Sequence, residues 1–302
     1  MRQRHVSCLS TVGFHDMAYV EWGDPANPRV LVCVHGLTRC GRDFDDLARA
    51  LSGEFRVVCP DVVGRGRSGW LADKSLYGIP QYASDMATLL ARIDAGSVDW
   101  VGTSMGGLIG MALAGAAATP IRRLVVSDVG PVITAASLIR IGEYLGGTPS
   151  FDSVAAAEQF IRGINATFGP LSDAQWRHLT VHVTRTGADG RVGFVFDPGI
   201  AEPFRRAMGG EVPVGDVEMW PLYDAIRCPT LLLRGAESDL LAAETARAMT
   251  QRGPRARLVE IPGVGHAPML MDPAQIDLVR DFLLGHTATG PEHENSFTAM
   301  DL

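Results

Sequence analysis

The stretch VDWVGTSMGG, residues 98–107, joins a hydrophobic run to a serine that has glycines two positions before and two after it. The run indicates a buried strand, and the residues that follow Ser104 have a helical pattern, so the serine occupies a G-x-S-x-G motif at a strand-to-helix junction. A turn this sharp lifts the hydroxyl clear of the backbone, and the helix start points N–H groups toward developing negative charge. We predict that Ser104 is a nucleophile, with a glycine-rich turn that has no chemical role as the alternative.

Five more apolar runs surround this one, and all six lack polar alternation, as strands buried on both faces of a parallel sheet do. They are PRVLVCVHG, FRVVCPD, VDWVGTS, RRLVVSD, PTLLLRG and ARLVEIPG. Helical patterns separate most of them, which predicts right-handed crossovers and an α/β fold with a doubly wound, mostly parallel sheet.

The alternation stops between about Pro131 and Cys228, where three amphipathic helical patterns follow one another before a glycine-rich, strand-like segment. An independent second domain is one interpretation. We prefer a helical insertion, because sheet-type runs resume at Pro229. The polar tail, residues 286–302, has no hydrophobic period and is expected to be flexible.

Composition limits the classes of partner. The 302 residues are 46% hydrophobic and carry a formal net charge of −7, so there is no broad basic face for nucleic acid or an anionic membrane. Five cysteines without metal-type spacing, no apolar leader and no membrane-length run favour a soluble protein of the reducing cytoplasm. We expect a small-molecule partner and neither metal nor cofactor, and the sequence leaves the oligomeric state open.

A serine hydroxyl needs a base and an orienting acid. His266 is the base candidate, because it lies beside glycines in the loop directly after the last predicted strand. Asp239, in the loop after LLLRG, is the favoured acid because it gives the chain order Ser, Asp, His. Asp128, after RRLVVS, and Glu237 are the alternatives.

The oxyanion that forms on acyl transfer needs N–H donors. The residue after the nucleophile, Met105, supplies one. The second is predicted to be the N–H of Leu37, because Gly36 permits a sharp turn at the end of the strand Val30 to Val34. His35 is expected to be a structural hydrogen bonder.

Five motifs in this order resemble the α/β-hydrolase superfamily over about residues 10–285: HGLT, DVVGRGRSG, GTSMGG, RGAESD and GVGHAP. The resemblance implies that residues 1–130 and 228–285 form the core and that residues 131–227 form a mainly helical cap over the site. It also implies that Asp61, Gly64, Gly66 and Ser68 are structural. The acid at Asp239 lies four residues after Gly235, one further than in many members.

Within the superfamily, a serine at this position argues against haloalkane dehalogenases and epoxide hydrolases. The runs GRDFDDLA, SDVGP and FVFDPGI are similar to bacterial carboxylesterases with a helical cap, a few of which also act on aliphatic polyesters. We therefore expect an enzyme that hydrolyses carboxylic esters of short to medium acyl chain through an acyl-enzyme. A lactonase, a carbon–carbon bond hydrolase and a non-catalytic ligand receptor on the same scaffold are the alternatives.

Apolar faces of the predicted cap helices include candidates for the acyl pocket. We predict that four aromatic residues line this pocket: Tyr144, Phe160, Phe168 and Trp176.

Overall fold

A computed structural model describes residues 1–145, 147, 149–209 and 215–286. Its centre is an eight-stranded sheet in the order β1-β2-β4-β3-β5-β6-β11-β12, and two pairs of short strands lie outside it. The strands are β1 (Arg2–Ser10), β2 (Gly13–Trp22), β3 (Val30–Val34), β4 (Arg56–Pro60), β5 (Val98–Thr103), β6 (Ile121–Ser127), β7 (Val132–Ile133), β8 (Thr184–Thr186), β9 (Val192–Phe194), β10 (Val217–Glu218), β11 (Thr230–Gly235) and β12 (Arg257–Ile261).

The α-helices within the described ranges flank this sheet or lie between β6 and β11. They are α1 (Asp45–Leu51), α2 (Ile79–Arg92), α3 (Met105–Ala114), α4 (Ala135–Leu145), α5 (Val154–Ile164), α6 (Asp173–Val183), α7 (Glu202–Met208), α8 (Trp220–Asp224), α9 (Ala243–Met249) and α10 (Pro273–Leu284). The same ranges also contain 3₁₀ turns at Gly41–Phe44, Lys74–Leu76, Ala166–Phe168 and Pro198–Ala201.

The six apolar runs of the sequence form the parallel part of the sheet, as predicted. Successive residues of a strand enter opposite layers of the core: Val32 packs with α2 and α3, whereas Leu31 packs with α1 and α10. Burial on both faces explains why these runs show no polar alternation.

The N-terminal hairpin was not predicted from the sequence. β1 and β2 pair antiparallel, and β2 pairs antiparallel with β4, so the hairpin extends one edge of the sheet. Alternate residues of β1, at Val6, Cys8 and Ser10, are buried, and this period of two is the signal that could have revealed the strand.

The strand register brings the ends of β3, β5, β6 and β11 to the same edge of the sheet. Gly102 of β5 pairs with Val34 of β3 and Val126 of β6, and Ser127 pairs with Leu233 of β11. The residues that directly follow these strands therefore emerge side by side at the carboxyl edge, where ligands bind in sheets of this kind.

Residues 131–227, between β6 and β11, contain α4 to α8 and both pairs of short strands, β7 with β10 and β8 with β9. The three helical patterns predicted here are present as α4, α5 and α6, with α4 packed against α7 and α5 against α6. No helix in the described ranges has the length and apolar composition needed to cross a membrane. The predicted flexible tail lies outside the described residues from position 287 onward.

Candidate active site

Ser104 occupies the sharp turn that the motif predicts. It lies between β5 and α3 with backbone angles φ 53° and ψ −117°, which are unusual for a residue with a side chain. The flanking glycines permit the turn: a Cβ atom on Gly106 would lie 1.9 Å from the carbonyl oxygen of Val34, and one on Gly102 would lie 2.2 Å from that of Gly106. Local sterics therefore fix the serine at the carboxyl edge of the sheet.

His266 reaches Ser104 from the loop between β12 and α10. Its Nε2 atom lies 3.0 Å from the Oγ atom of Ser104. The side chain of His266 is one-quarter exposed, so the imidazole is held by the protein while one edge remains open to the cavity. The structure thus brings together the two residues that the sequence proposed as nucleophile and base.

Asp128, and not Asp239, is the carboxylate that contacts His266. The Oδ2 atom of Asp128 lies 2.8 Å from Nδ1 of His266. The carboxylate is fully buried and also accepts hydrogen bonds from the N–H of Gly235, 2.8 Å away at Oδ1, and from the hydroxyl of Ser238, 2.6 Å away at Oδ2. These donors fix the orientation of the carboxylate.

The prediction that Asp239 is the acid that contacts His266 was therefore wrong. Asp239 is 58% exposed and forms an ion pair with Arg140 of α4, with 3.1 Å between Oδ2 and Nη1. Glu237 is exposed as well. The loop after β11 turns so that Ser238 faces Asp128, which leaves Asp239 on the other side of the turn. No local signal in the sequence separated Asp128 from Asp239, because each follows a strand that ends in buried residues.

Residues of the DVVGRGRSG motif form hydrogen bonds to the loop that carries Leu37. His35 is fully buried; its Nδ1 donates to the carbonyl oxygen of Gly36, 2.7 Å away, and its Nε2 accepts from the N–H of Val62, 2.9 Å away. Burial lowers the pKa of His35 to about 3, so the ring is neutral over the working range of most enzymes. This agrees with the structural role expected of His35.

Arg65 is a residue that the sequence analysis missed. Its fully buried guanidinium donates to the carbonyl oxygen of Leu37 at 2.7 Å, and its Nη2 lies 3.6 Å from the sulfur of Met105. It thereby touches both residues predicted to supply the oxyanion N–H groups. An arginine between two glycines of a turn motif gave no sign of this role.

A largely apolar cavity of about 570 Å³ opens beside Ser104 and His266. Leu37, Met105 and two of the four predicted pocket residues, Tyr144 and Phe168, line it. The other two predictions were wrong, because neither Phe160 nor Trp176 is among the described lining residues.

Both of the misplaced aromatic residues pack against other rings. Trp176 stacks on Phe168 with 6.2 Å between ring centroids, and Phe160 packs 5.2 Å from Phe151. Their apolar faces serve packing, and the cluster that contains Trp176 also includes Met269 and Met271 of the loop before α10. Helical periodicity does not distinguish this outcome from a pocket wall.

Two clusters of metal-binding residue types occur elsewhere in the described residues: Cys8, His15 and Asp85, and Asp45, His178 and His182. In the first, His15 and Asp85 bind each other, with 2.9 Å between Nε2 and Oδ2. In the second, Nε2 of His178 donates to the carbonyl oxygen of Arg42, 2.9 Å away. Neither cluster lines the described cavity.

Comparison with known proteins agrees with this architecture. Residues 31–277 match the alpha/beta hydrolase family. A 3-hydroxybutyrate-oligomer hydrolase from Cupriavidus necator is 50% identical over 283 residues, which cover 93% of this chain and 97% of that protein. A solved putative hydrolase from Rickettsia typhi has a TM-score of 0.87 at 30% identity, over 95% of this chain and 100% of that one. An alpha/beta hydrolase from Novosphingobium aromaticivorans has a TM-score of 0.82 at 37% identity, over 95% and 98% of the two chains.

These similarities extend over nearly the whole chain. They confirm the fold and the superfamily that the five motifs predicted, and the relatives named are hydrolases, which confirms the predicted class of enzyme. The chain belongs to the alpha/beta hydrolase family.

Proposed function

We propose that this enzyme hydrolyses the ester bonds of short 3-hydroxyalkanoate oligomers, with Ser104 as nucleophile, His266 as general base and Asp128 as the orienting acid. The observation that carries the proposal is the continuous hydrogen-bonded series Ser104–His266–Asp128 at the wall of an apolar cavity. Such a series is the arrangement that activates a serine for acyl transfer.

The reaction follows from the geometry of these three residues. His266 accepts the hydroxyl proton at Nε2 as Oγ of Ser104 bonds to the ester carbonyl carbon, and Asp128 stabilises the imidazolium that forms. The C–O bond to the alcohol then breaks, and His266 returns the proton to the departing oxygen. In the second half-reaction water, deprotonated by His266, attacks the acyl-enzyme. The bond from the acyl carbon to Oγ of Ser104 then breaks, His266 returns the proton to Oγ, and the acid is released.

The negative charge on the carbonyl oxygen requires donors that are already in place. We assign this role to the backbone N–H groups of Leu37 and Met105. Arg65 supports the assignment, because it fixes the Leu37 carbonyl and contacts the side chain of Met105.

Residues 131–227 act, in this proposal, as a cap over a core formed by residues 1–130 and 228–285. Several residues of this cap line the cavity, among them Ile141 and Tyr144 of α4 and Phe204 of α7. These apolar side chains provide an environment for the methyl groups and methylenes of a hydroxyalkanoate chain.

The substrate class rests on two points. The relative from Cupriavidus necator, half identical over almost its full length, is a 3-hydroxybutyrate-oligomer hydrolase. The volume of about 570 Å³ lies within the range of roughly 300 to 1,000 Å³ that small-molecule sites have. A cavity of this size suits a chain of a few units and not a polymer surface.

The test is incubation of the purified enzyme with the dimer and the trimer of 3-hydroxybutyric acid, with released monomer measured by chromatography. Turnover of both is expected, and Ser104→Ala should lower kcat on the order of 10⁴-fold or more while thermal unfolding is unchanged. The control is Ser84→Ala, at an exposed position, which should leave kcat unchanged. Cleavage of simple nitrophenyl esters without cleavage of either oligomer would overturn the substrate class, and turnover by Ser104→Ala would overturn the mechanism.

We also place the enzyme in the cytoplasm. All five cysteines are free thiols, and four of them are buried. Reduced cysteine packed as a small hydrophobe is typical of proteins from reducing compartments, which supports this location.

A further inference from the structure

Helix α4 is joined to the core at two points beside the cavity. Arg140 forms its ion pair with Asp239 in the loop after β11, and the hydroxyl of Tyr144, one helical turn further along, lies 3.5 Å from that of Thr38 in the loop after β3. All four residues line the same cavity as Ser104. The helix therefore presents one face to the space in which the proposed substrate lies.

The two described arginines that line this cavity differ in how far their ion pairs are buried. Arg39 is bound by Asp43 through two hydrogen bonds of 2.8 and 2.7 Å, and both side chains are almost fully buried. Arg140 is 49% exposed, and its partner Asp239 is 58% exposed. Of the two arginines among the described lining residues, Arg140 is therefore the one that an anion entering from solvent can reach.

An exposed ion pair of this kind is weak and exchanges partners readily, because water screens both charges. A carboxylate from a ligand presents the same two oxygens to a guanidinium as Asp239 does, and it can bind both nitrogens of the fork. Replacing Asp239 by a substrate carboxylate at Arg140 thus exchanges one ion pair for another of the same type.

The chemistry of the proposed substrate supplies such an anion at a defined place. An oligomer of a 3-hydroxy acid has a free hydroxyl at one end and a free carboxylate at the other. When an internal ester is cleaved, the hydroxyl end stays in the acyl group bound to Ser104, and the carboxylate leaves with the alcohol portion. A cationic group that recognises the carboxylate therefore acts on the leaving-group side of the scissile bond.

We propose that Arg140 is a binding site for the terminal carboxylate of the leaving segment, and that Asp239 is its internal competitor. The inference rests on the proposed function. If Arg140 binds this carboxylate, the enzyme prefers oligomers with a free acid end over neutral esters of the same length. It also cleaves the chain near its carboxyl end. The inference gives Asp239 a role in substrate selection as well.

The experiment compares the trimer of 3-hydroxybutyric acid with its methyl ester, which differs by the loss of one negative charge. The measured quantity is the ratio of kcat/KM for the acid to kcat/KM for the methyl ester. Arg140→Gln should lower this ratio by about tenfold, since a charge-assisted hydrogen bond is lost. Arg140→Lys should retain part of the preference, and Asp239→Asn should raise the ratio about threefold by removing the competitor.

Arg177→Gln is the matched control. Arg177 is also in an ion pair on a helix of the cap, with 54% of its side chain exposed, but it is not among the described residues that line the cavity. The ratio for this variant should equal that of the unaltered enzyme. Added salt should also lower the ratio in the unaltered enzyme more than in Arg140→Gln, because salt screens an exposed charge pair.

The outcomes separate the inference from the proposed function. An acid-to-ester ratio that is the same in the unaltered enzyme, Arg140→Gln and Asp239→Asn would overturn the carboxylate site while leaving oligomer hydrolysis in place. Failure to cleave either the acid or the methyl ester would overturn the proposed function itself.

Discussion

The carboxylate of Asp128 lies 2.8 Å from Nδ1 of His266, although 138 positions separate the two residues in the chain. The contact exists because β6 lies between β5, which ends at the serine turn, and β11 in the sheet. The residue after β6 therefore emerges beneath the histidine loop. This relationship decides which acidic residue the reaction requires.

Asp128→Asn should lower kcat on the order of 10³ to 10⁴-fold, because an amide does not stabilise the imidazolium and favours the wrong tautomer. Asp239→Asn should cost less than about tenfold on a neutral nitrophenyl butyrate, since an exposed ion pair contributes little. Steady-state kinetics on both variants, with thermal unfolding as the check on folding, is the measurement. The opposite ranking would return the acid to the loop after β11.

Arg65→Met should lower both stability and kcat. Arg65 donates to the carbonyl oxygens of Leu37 and Val63 and to the hydroxyl of Tyr82, at 2.7, 2.8 and 2.9 Å, and the substitution leaves these buried acceptors without a donor. We expect a loss of about 2–4 kcal/mol in the free energy of unfolding.

Two further variants test whether Arg65 positions the Leu37 loop. If it does, kcat falls more than KM rises, and Arg65→Lys recovers part of the loss. Arg67→Met, two residues further along and exposed, is the control and should behave as the unaltered protein does. Equal effects at both positions would argue against a positioning role for Arg65.

Specificity should increase over the first few acyl carbons and then fall. Each buried methylene contributes about 0.8 kcal/mol, and this gain ends when the cavity of about 570 Å³ is full. The measurement is kcat/KM for nitrophenyl esters from acetate to palmitate, below their critical micelle concentrations. A maximum at the palmitate ester, or a jump in rate when the substrate forms an interface, would show that α4 and its neighbours open as a lipase lid does.

The free energy of unfolding should fall as the pH is lowered from about 6.5, the ordinary pKa of histidine, toward 4. Burial lowers the pKa of His35 to about 3 and that of His182 to about 4 in the folded chain. Over this interval the unfolded chain takes up protons that the folded chain does not bind, so acid favours unfolding.

Urea unfolding between pH 7 and 4.5 measures this effect. Burial raises the pKa values of Asp61 and Asp85, and these carboxyls act in the opposite direction, so the comparison is made between variants. His182→Gln should show a smaller loss of stability on acidification than the unaltered protein, and His5→Gln, at an exposed position, should show the same loss. Equal slopes for all three proteins would mean that His182 takes up its proton without unfolding.

The sequence by itself determined the features that depend on local geometry. Buried runs such as Val30–Val34 are apolar at every position because both faces of the sheet are covered, so they were recognisable one at a time. The turn at Ser104 needs glycine at positions 102 and 106 for steric reasons that act within a few residues. His266 was identifiable because its loop follows the last strand.

Only the tertiary structure decided which carboxylate meets His266, which aromatic residues line the cavity, and what Arg65 and Arg140 contact. These choices depend on distances between segments that are far apart in the chain, and sequence patterns carry no measure of such distances. Asp128 and Asp239 both follow a buried strand, but the turn after β11 directs Ser238 to Asp128 and Asp239 to Arg140. A buried hydrogen-bonded carboxylate and a half-exposed ion pair look alike in the sequence, because what separates them is the set of donors that folding brings to each one.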